Sequence, residues 1–296
     1  MQSPITPRIG IIGGSGLGAA LGAEQGKSHD IDTPFGKPSS PIVTANWQGV
    51  DVAILQRHGI GHTLNPSHVP YRANIYALKS LGVTHIVASG ATGSLREEIA
   101  PGDIVIADQI IDKTSKRPST FYDCAAVHVE FAEPFCPVMR KWLLQAAAKQ
   151  SDIKVHDGGT YVCMEGPAFS TKAESNMHRQ WGGDLIGMTC MPEAKLAREA
   201  EIAYALVALP TDYDCWRPHT PGQTPQALLA EIIGNLKSAT SNSIALIKAA
   251  LQNIDPLRSN PSPAHTALAL AIWSDKSQIS EPDRARLDVL WGRYFK

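Results

Sequence analysis

Residues 8–22, RIGIIGGSGLGAALG, open the first apolar run of the chain. Gly14, Gly16 and Ala19 fit the G-x-G-x-x-G/A spacing of a dinucleotide-binding turn, where glycines let a strand bend tightly into a helix facing a pyrophosphate. That reading needs a full helix after the turn, then a second strand that delivers an acidic residue to a ribose. Asp30 and Asp32 lie at a suitable distance, but the preceding GAEQGKSHDID is polar, contains Gly22 and Gly26, and offers no apolar strand. A more general chemistry remains. A strand ending in Gly13-Gly14-Ser15-Gly16 presents several backbone N–H groups and one hydroxyl, a nest that suits phosphate.

Outward from this turn, short apolar runs alternate with amphipathic segments. PIVTANW and VDVAILQ read as a hairpin turning at Gln48-Gly49; THIVASG, DIVIADQIID, GTYVCM, DLIGM and AYALVALP read as further buried strands. Between them lie helical patterns: YRANIYALKSLG, CPVMRKWLLQAAAKQ, TKAESNMHRQWG, PEAKLAREA and the long TPQALLAEIIGNLKSATSNSIALIKAAL. The alternation predicts an α/β fold, a single domain whose central mixed β-sheet is flanked by helices. No internal repeat is visible. Near residue 255 the pattern changes to the proline- and serine-rich IDPLRSNPSPAH, followed by the amphipathic EPDRARLDVLWGRYF. The expected organisation is therefore residues 1–255 as the main domain and 256–296 as a linker and C-terminal helical tail.

Composition narrows the function. Lys plus Arg 27 against Asp plus Glu 28 gives a net charge of −1, so no overall field recruits nucleic acid or an anionic membrane. The five cysteines form no C-x-x-C pair, which argues against a zinc site or a disulfide framework and for reduced thiols in the cytoplasm. The start, MQSPITPR, has no signal-peptide pattern, and no run approaches the roughly 18 apolar residues of a membrane span. A small-molecule substrate is the expected partner.

Four more segments place polar residues at the carboxyl end of a buried strand, where ligands of open α/β sheets bind. QRHG puts Arg57 and His58 at the sheet edge, and a guanidinium fork suits two phosphate oxygens. SGATGS (89–94) reads as a second glycine-rich turn; Met188-Thr189 follows DLIG, and TDYD (211–214) follows AYALVALP. Ser15, Arg57, His58 and Thr189 form an anion-binding set, whereas Asp212 and Asp214 need a substrate between themselves and an anion. Phosphorolysis of a nucleoside has that bipartite shape.

Ten ordered motifs, GIIGGSGL, DTPFGKPS, RHGIGH, YRANIYALK, GSLREEIAPGDIVI, RPSTFYD, AEPFCP, EGPAFSTKAES, MTCMPEAKLAREA and TDYDCW, make residues 8–250 resemble the trimeric purine nucleoside phosphorylase family. The resemblance points to its branch acting on S-methyl-5′-thioadenosine. It implies a nucleoside phosphorylase fold, a homotrimer, and inorganic phosphate as co-substrate with no metal or organic cofactor. It places Ser15, Arg57, His58, Ser89, Gly90, Ala91 and Thr189 at the phosphate, and Met188 under the ribose. Phe169 packs by base and ribose, with Thr92 and Gly93 along the purine. Asp212 and Asp214 match the pair that reads the adenine edge and are the expected catalytic residues; burial would hold Asp212 protonated as the acid. His128 is lent by a neighbouring subunit to the 5′-substituent pocket.

Two positions separate purines. Where 6-oxopurine members carry a glutamate and an asparagine, this chain has Ser170 and Asp212, and a carboxylate suits the N6 amino donor of adenine. Pro225 and Leu228 stand where a histidine would meet a 5′-hydroxyl, favouring methylthio. Gly90 replaces the second of two family threonines in the phosphate loop, with Ser89 before it, and Ala168, in EGPAF, replaces an arginine common in the family's version of that segment. The rival readings are a phosphorylase with another purine preference, a nucleosidase, and a nucleoside-binding module. Taken singly, the residues are mundane: Asp212 reads equally as a helix cap, Met188 as core filling and His62 as a loop histidine.

Overall fold

The computed structural model describes residues 6–14, 26–218 and 222–296, so Ser15 lies outside the described residues. Its strands are β1 (Ile9–Gly13), β2 (Lys27–His29), β3 (Ile42–Trp47), β4 (Val50–Gln56), β5 (His85–Ser94), β6 (Ile104–Ile106), β7 (Gln109–Asp112), β8 (Val155–Asp157), β9 (Thr160–Cys163), β10 (Leu185–Gly187) and β11 (Ala203–Tyr213). The helices are α1 (Tyr71–Ser80), α2 (Pro137–Ala147), α3 (Lys172–Gln180), α4 (Cys190–Glu199), α5 (Pro225–Leu251), α6 (Asp255–Ser259), α7 (Glu281–Arg286) and α8 (Asp288–Trp291).

All eleven strands form one mixed sheet centred on β5. One edge of β5 pairs parallel with β1 over His85–Ser89, then antiparallel with β10 at Gly93 and Ser94. Its other edge pairs with β11 from His85 to Ser94. Three residues, 90–92, are therefore passed over on the first edge, where β1 has ended and β10 has not begun. SGATGS is thus the continuation of a strand; pairing with β11 holds it extended despite two glycines.

Alternation along the strands feeds a core on each face of the sheet. Ile12, Ile86, Ala88, Leu206 and Ala208 pack with α1 and α4, while Ile9, Ile11, Val87, Ala205 and Val207 pack with α2 and α5. The β3–β4 hairpin turns at Gln48 and Gly49, with φ of 52° and 78°, the left-handed pair that matches strand twist. DIVIADQIID divides into β6 and β7, because β6 pairs with β11 and β8 while β7 pairs with β9.

The C-terminal segment does not stand apart. Leu268, Leu287, Leu290 and Trp291 are buried in the same core as Ile12 and Ile86. Each such leucine adds roughly 1.5–3 kcal/mol of gross burial. The expected single helix at 281–295 breaks at Leu287, which turns fully inward with φ −109° and ψ 14°. Among the described residues no helix is long and apolar enough to cross a membrane.

Candidate active site

Beside the passed-over edge of β5 lies a cleft of about 1310 Å³. Gly14, Arg57, His58, Gly90 and Thr189 line one end; Gly93, Asp212, Asp214, Phe169 and Ser170 line the other, with Ala91, Thr92 and Met188 between. Sheet topology thus gathers in one place residues scattered through the chain.

At the anion end Arg57 is 1% exposed, and its place is fixed by Glu193, unexposed at the start of α4. Nε and Nη2 donate to the two carboxylate oxygens at 2.7 and 2.8 Å, while Nη1 donates to the Ser89 carbonyl at 2.9 Å. Burial opposes the charge on Arg57, but the Glu193 carboxylate outweighs it and raises the pKa. Tyr204 also donates to Glu193, at 2.8 Å. The guanidinium therefore enters the cleft as a rigid, charge-balanced donor.

His58 meets the Leu64 carbonyl through Nδ1 at 2.8 Å and stacks on His62 with ring centroids 4.3 Å apart. Burial, then the nearby Arg57 charge, push its pKa down to about 4. At neutral pH the ring is uncharged, with its proton on Nδ1 facing the carbonyl and Nε2 as an acceptor. A side chain at Gly90 would begin 3.5 Å from Thr189 Oγ1 and 3.7 Å from Arg57 Nη1, so this position opens onto the anion end. Ser89 points the other way: it is 1% exposed, and its hydroxyl lies 3.5 Å from that of Ser243. Successive strand residues face opposite sides, so Ser89 brings only its carbonyl toward Arg57.

At the other end Gly93 makes room for the carboxylates. A Cβ there would lie 2.9 Å from Ile186 Cγ2 and 3.6 Å from Asp212 Oδ2. Burial, followed by the charge of Asp214, raises the Asp212 pKa, against the opposing Thr211 hydroxyl. Asp214 is buried, and its Oδ2 has no hydrogen-bond partner among the described residues, a ready acceptor for an N–H donor. Phe169 is 84% exposed at the rim, held just ahead of α3 by the Thr171–Glu174 capping box. Ser170 directs its hydroxyl to Met164 Sδ at 3.8 Å, and its carbonyl accepts from Cys215 Sγ at 3.3 Å. Leu228, with Ile232 and Leu236, presents one face of α5 to the cleft.

Sequence reading missed the residues that hold these walls together. Arg117, buried, donates to the carbonyls of Met188 and Met191 at 2.6 and 2.7 Å and to Glu165 Oε1 at 3.1 Å. Glu165 also accepts from Ser67 and from the Ser115 and Lys116 amides; these bonds and the Arg117 charge outweigh burial and pull its pKa to about 2. The Met188 sulfur rests against Gly166, where a Cβ would intrude to 2.5 Å and φ is +67°. Both RPST and EGP stood in the recognised motifs, but nothing local in the sequence pairs them. His128 is outside this cleft: it is exposed, its ring tilted at 60° against Trp273 with centroids 4.7 Å apart, and its amide donates to the Ala271 carbonyl at 2.9 Å.

Residues 8–252 match the family model described as the phosphorylase superfamily. An S-methyl-5′-thioadenosine phosphorylase of Geobacter sulfurreducens is 49% identical over 97% of this chain and 98% of its own length. One from Thermosynechococcus vestitus is 46% identical over 98% of this chain and 100% of its own. Among solved structures, a methylthioadenosine phosphorylase from an antarctic soil metagenomic library superposes with a TM-score of 0.88 at 48% identity, covering 97% of this chain and 99% of that one. The Schistosoma mansoni methylthioadenosine phosphorylase in complex with tubercidin superposes with a TM-score of 0.77 at 33% identity over 96% of this chain and 99% of that one. The family match spans most of the sequence and the relatives nearly all of it: the chain belongs to the phosphorylase superfamily.

Proposed function

We propose that the cleft carries out phosphorolysis of S-methyl-5′-thioadenosine, giving adenine and 5-methylthioribose 1-phosphate. The observation that carries this reading is the opposition, across one short stretch of strand edge, of an anion end built on Arg57, His58 and Thr189 and a carboxylate end built on Asp212 and Asp214. The relatives' names support the choice of nucleoside.

Breaking the N-glycosidic bond leaves positive charge on C1′ and negative charge on the departing base, and both need stabilising. Asp212, with its raised pKa, donates its proton to the purine as the bond breaks. Asp214 accepts from the N6 amino group through its unpartnered oxygen. Phosphate, held by Arg57 Nη1 and the Thr189 hydroxyl beside Gly90, attacks C1′ from the opposite face with inversion. Neutral His58 accepts from a protonated phosphate oxygen through Nε2. Met188 supports the ribose, and Leu228 and Ile232 receive the methylthio group. Phosphate is the co-substrate, and the reaction calls on no metal or organic cofactor.

The homotrimer belongs to the same proposal. His128 lies beside Trp273, 72% exposed, and on the same tail Leu270 is 91% exposed, an apolar surface suited to a neighbouring copy. A cytoplasmic location agrees with five cysteines that form no disulfide.

The test is adenine release from methylthioadenosine with and without inorganic phosphate, with inosine in parallel. Phosphate-dependent release with little action on inosine supports the reading. Release without phosphate identifies a nucleosidase, and a preference for inosine overturns the role given to Asp212 and Ser170.

A further inference from the structure

The segment that carries Asp212 is irregular, and the irregularity is braced from α5. Pro210 pairs with Thr92 and Asp212 with Gly93, so Thr211 is an extra residue, a bulge in β11. Bulges turn a strand and re-aim the side chains beyond them. The Pro210 carbonyl is taken up by the Gly102 amide at 2.8 Å. The Thr211 carbonyl accepts from Asn235 Nδ2 at 2.9 Å. Thr211 Oγ1 lies 2.8 Å from Asp212 Oδ1 and 3.4 Å from the Thr92 carbonyl. The hydroxyl has one proton, and the shorter contact directs it to Asp212. Oδ1 is then an acceptor, and the proton of a neutral Asp212 sits on Oδ2, the oxygen beside Gly93.

Asn235 shares its helix face with Leu228 and Ile232, two and one turns earlier, and all three line the cleft. One surface of α5 therefore receives the substituent at the far end of the nucleoside and holds the bulge that aims the acid. We propose that Asn235 is a positioning residue for Asp212, coupling occupancy of the Leu228–Ile232 end of the cleft to placement of the proton donor. The proposal rests on the reading of Asp212 as the acid. It assigns the methylthio group a part in turnover as well as in binding.

The experiment compares wild type with Asn235→Leu, which removes the amide donor at similar volume, and with Thr211→Val, which removes the hydroxyl and keeps the β-branch. Substrates are methylthioadenosine and 5′-deoxyadenosine, which lacks the methylthio group. Misplacing a reacting group by an ångström lowers rate by up to about 100-fold. Asn235→Leu is expected to lower kcat on methylthioadenosine by at least about tenfold, with the phosphate KM within about twofold, and to lower kcat on 5′-deoxyadenosine much less. Thr211→Val removes a bond that favours ionised Asp212, so activity persists to higher pH before the acid deprotonates. Equal losses on both substrates with an unmoved pH profile, or unchanged kcat, overturn the proposal. If Asn235→Leu does not fold, Asn235→Asp, equal in shape and without the donor, is read by the same comparison. Asp212→Asn is run alongside. Near-normal turnover there overturns the acid assignment and this proposal with it, whereas its loss beside an unaffected Asn235→Leu overturns the positioning role alone.

Discussion

Gly90 offers a direct test of where phosphate sits. A Cβ built on it meets Thr189 Oγ1 at 3.5 Å and Arg57 Nη1 at 3.7 Å, both ordinary contacts, and the backbone is regular strand paired with Ala208. The position therefore has room for a Cβ, and Gly90→Thr adds a hydroxyl beside the anion's other donors. A hydrogen bond to a charged group contributes about 1.5–3 kcal/mol. Taking the lower figure, because the phosphate is already held by other groups, the phosphate KM should fall about tenfold. Gly90→Ala supplies the Cβ without the hydroxyl and should leave that KM within about twofold. The assay is initial-rate adenine release at saturating methylthioadenosine with phosphate varied. Both variants should melt no lower than wild type, since glycine weakens a strand interior. If Gly90→Thr matches Gly90→Ala, or if both raise the phosphate KM while melting normally, the anion does not lie against Gly90 and the assignment of this end of the cleft is wrong.

Glu193→Gln leaves Arg57 buried without its balancing charge; a broken buried pair costs about 3 kcal/mol or more, so the melting temperature should fall by several degrees and the phosphate KM should rise. Unchanged stability would mean that the pair is not what fixes Arg57. His85 is 1% exposed and pushed from 6.5 down to about 3, by burial first and then by His265. The unfolded chain takes up a proton there as pH falls below 6.5 and the folded chain does not, so this histidine draws stability down with acid. Acidification to about pH 4.5 should therefore lower the melting temperature less in His85→Phe than in wild type. Equal losses would refute the shift.

Most strands and helices were legible because apolar spacing of two or of three to four residues reports the local fold directly. Where reading failed, the deciding contact was remote. SGATGS looked like a turn because glycine signals one locally, but β11, more than a hundred residues later in the chain, keeps it extended. Ser89 was placed at the phosphate beside Gly90, yet adjacent strand positions face opposite sides of a sheet, so Gly90 opens onto the cleft while the Ser89 side chain is buried away from it. The bulge at Thr211 is announced only by Pro210, and its brace at Asn235 sits inside a helix with no motif of its own. Proline and serine at 256–263 suggested a linker, but Leu268 and Trp291 beyond it complete the main core. Arg57 and His58 were legible as chemistry, whereas Glu193 was not, being 136 positions away and read as an ordinary helix residue.

That last omission changes how the site works. Read alone, Arg57 is a cation that draws phosphate in through its charge. Paired with Glu193 its charge is balanced within the wall of the cleft, so it adds little net charge at the anion end. Selection of phosphate then depends on donors fixed in direction before it arrives: Nη1 held by the Ser89 carbonyl, Thr189 on the loop that Arg117 anchors at Met188, and His58 turned by the Leu64 carbonyl. Such a site loses little when mobile charge is screened, because fixed short contacts inside a buried cleft are shielded less than surface pairs. It loses much when one brace is cut, because every donor owes its direction to a partner that never touches the ligand.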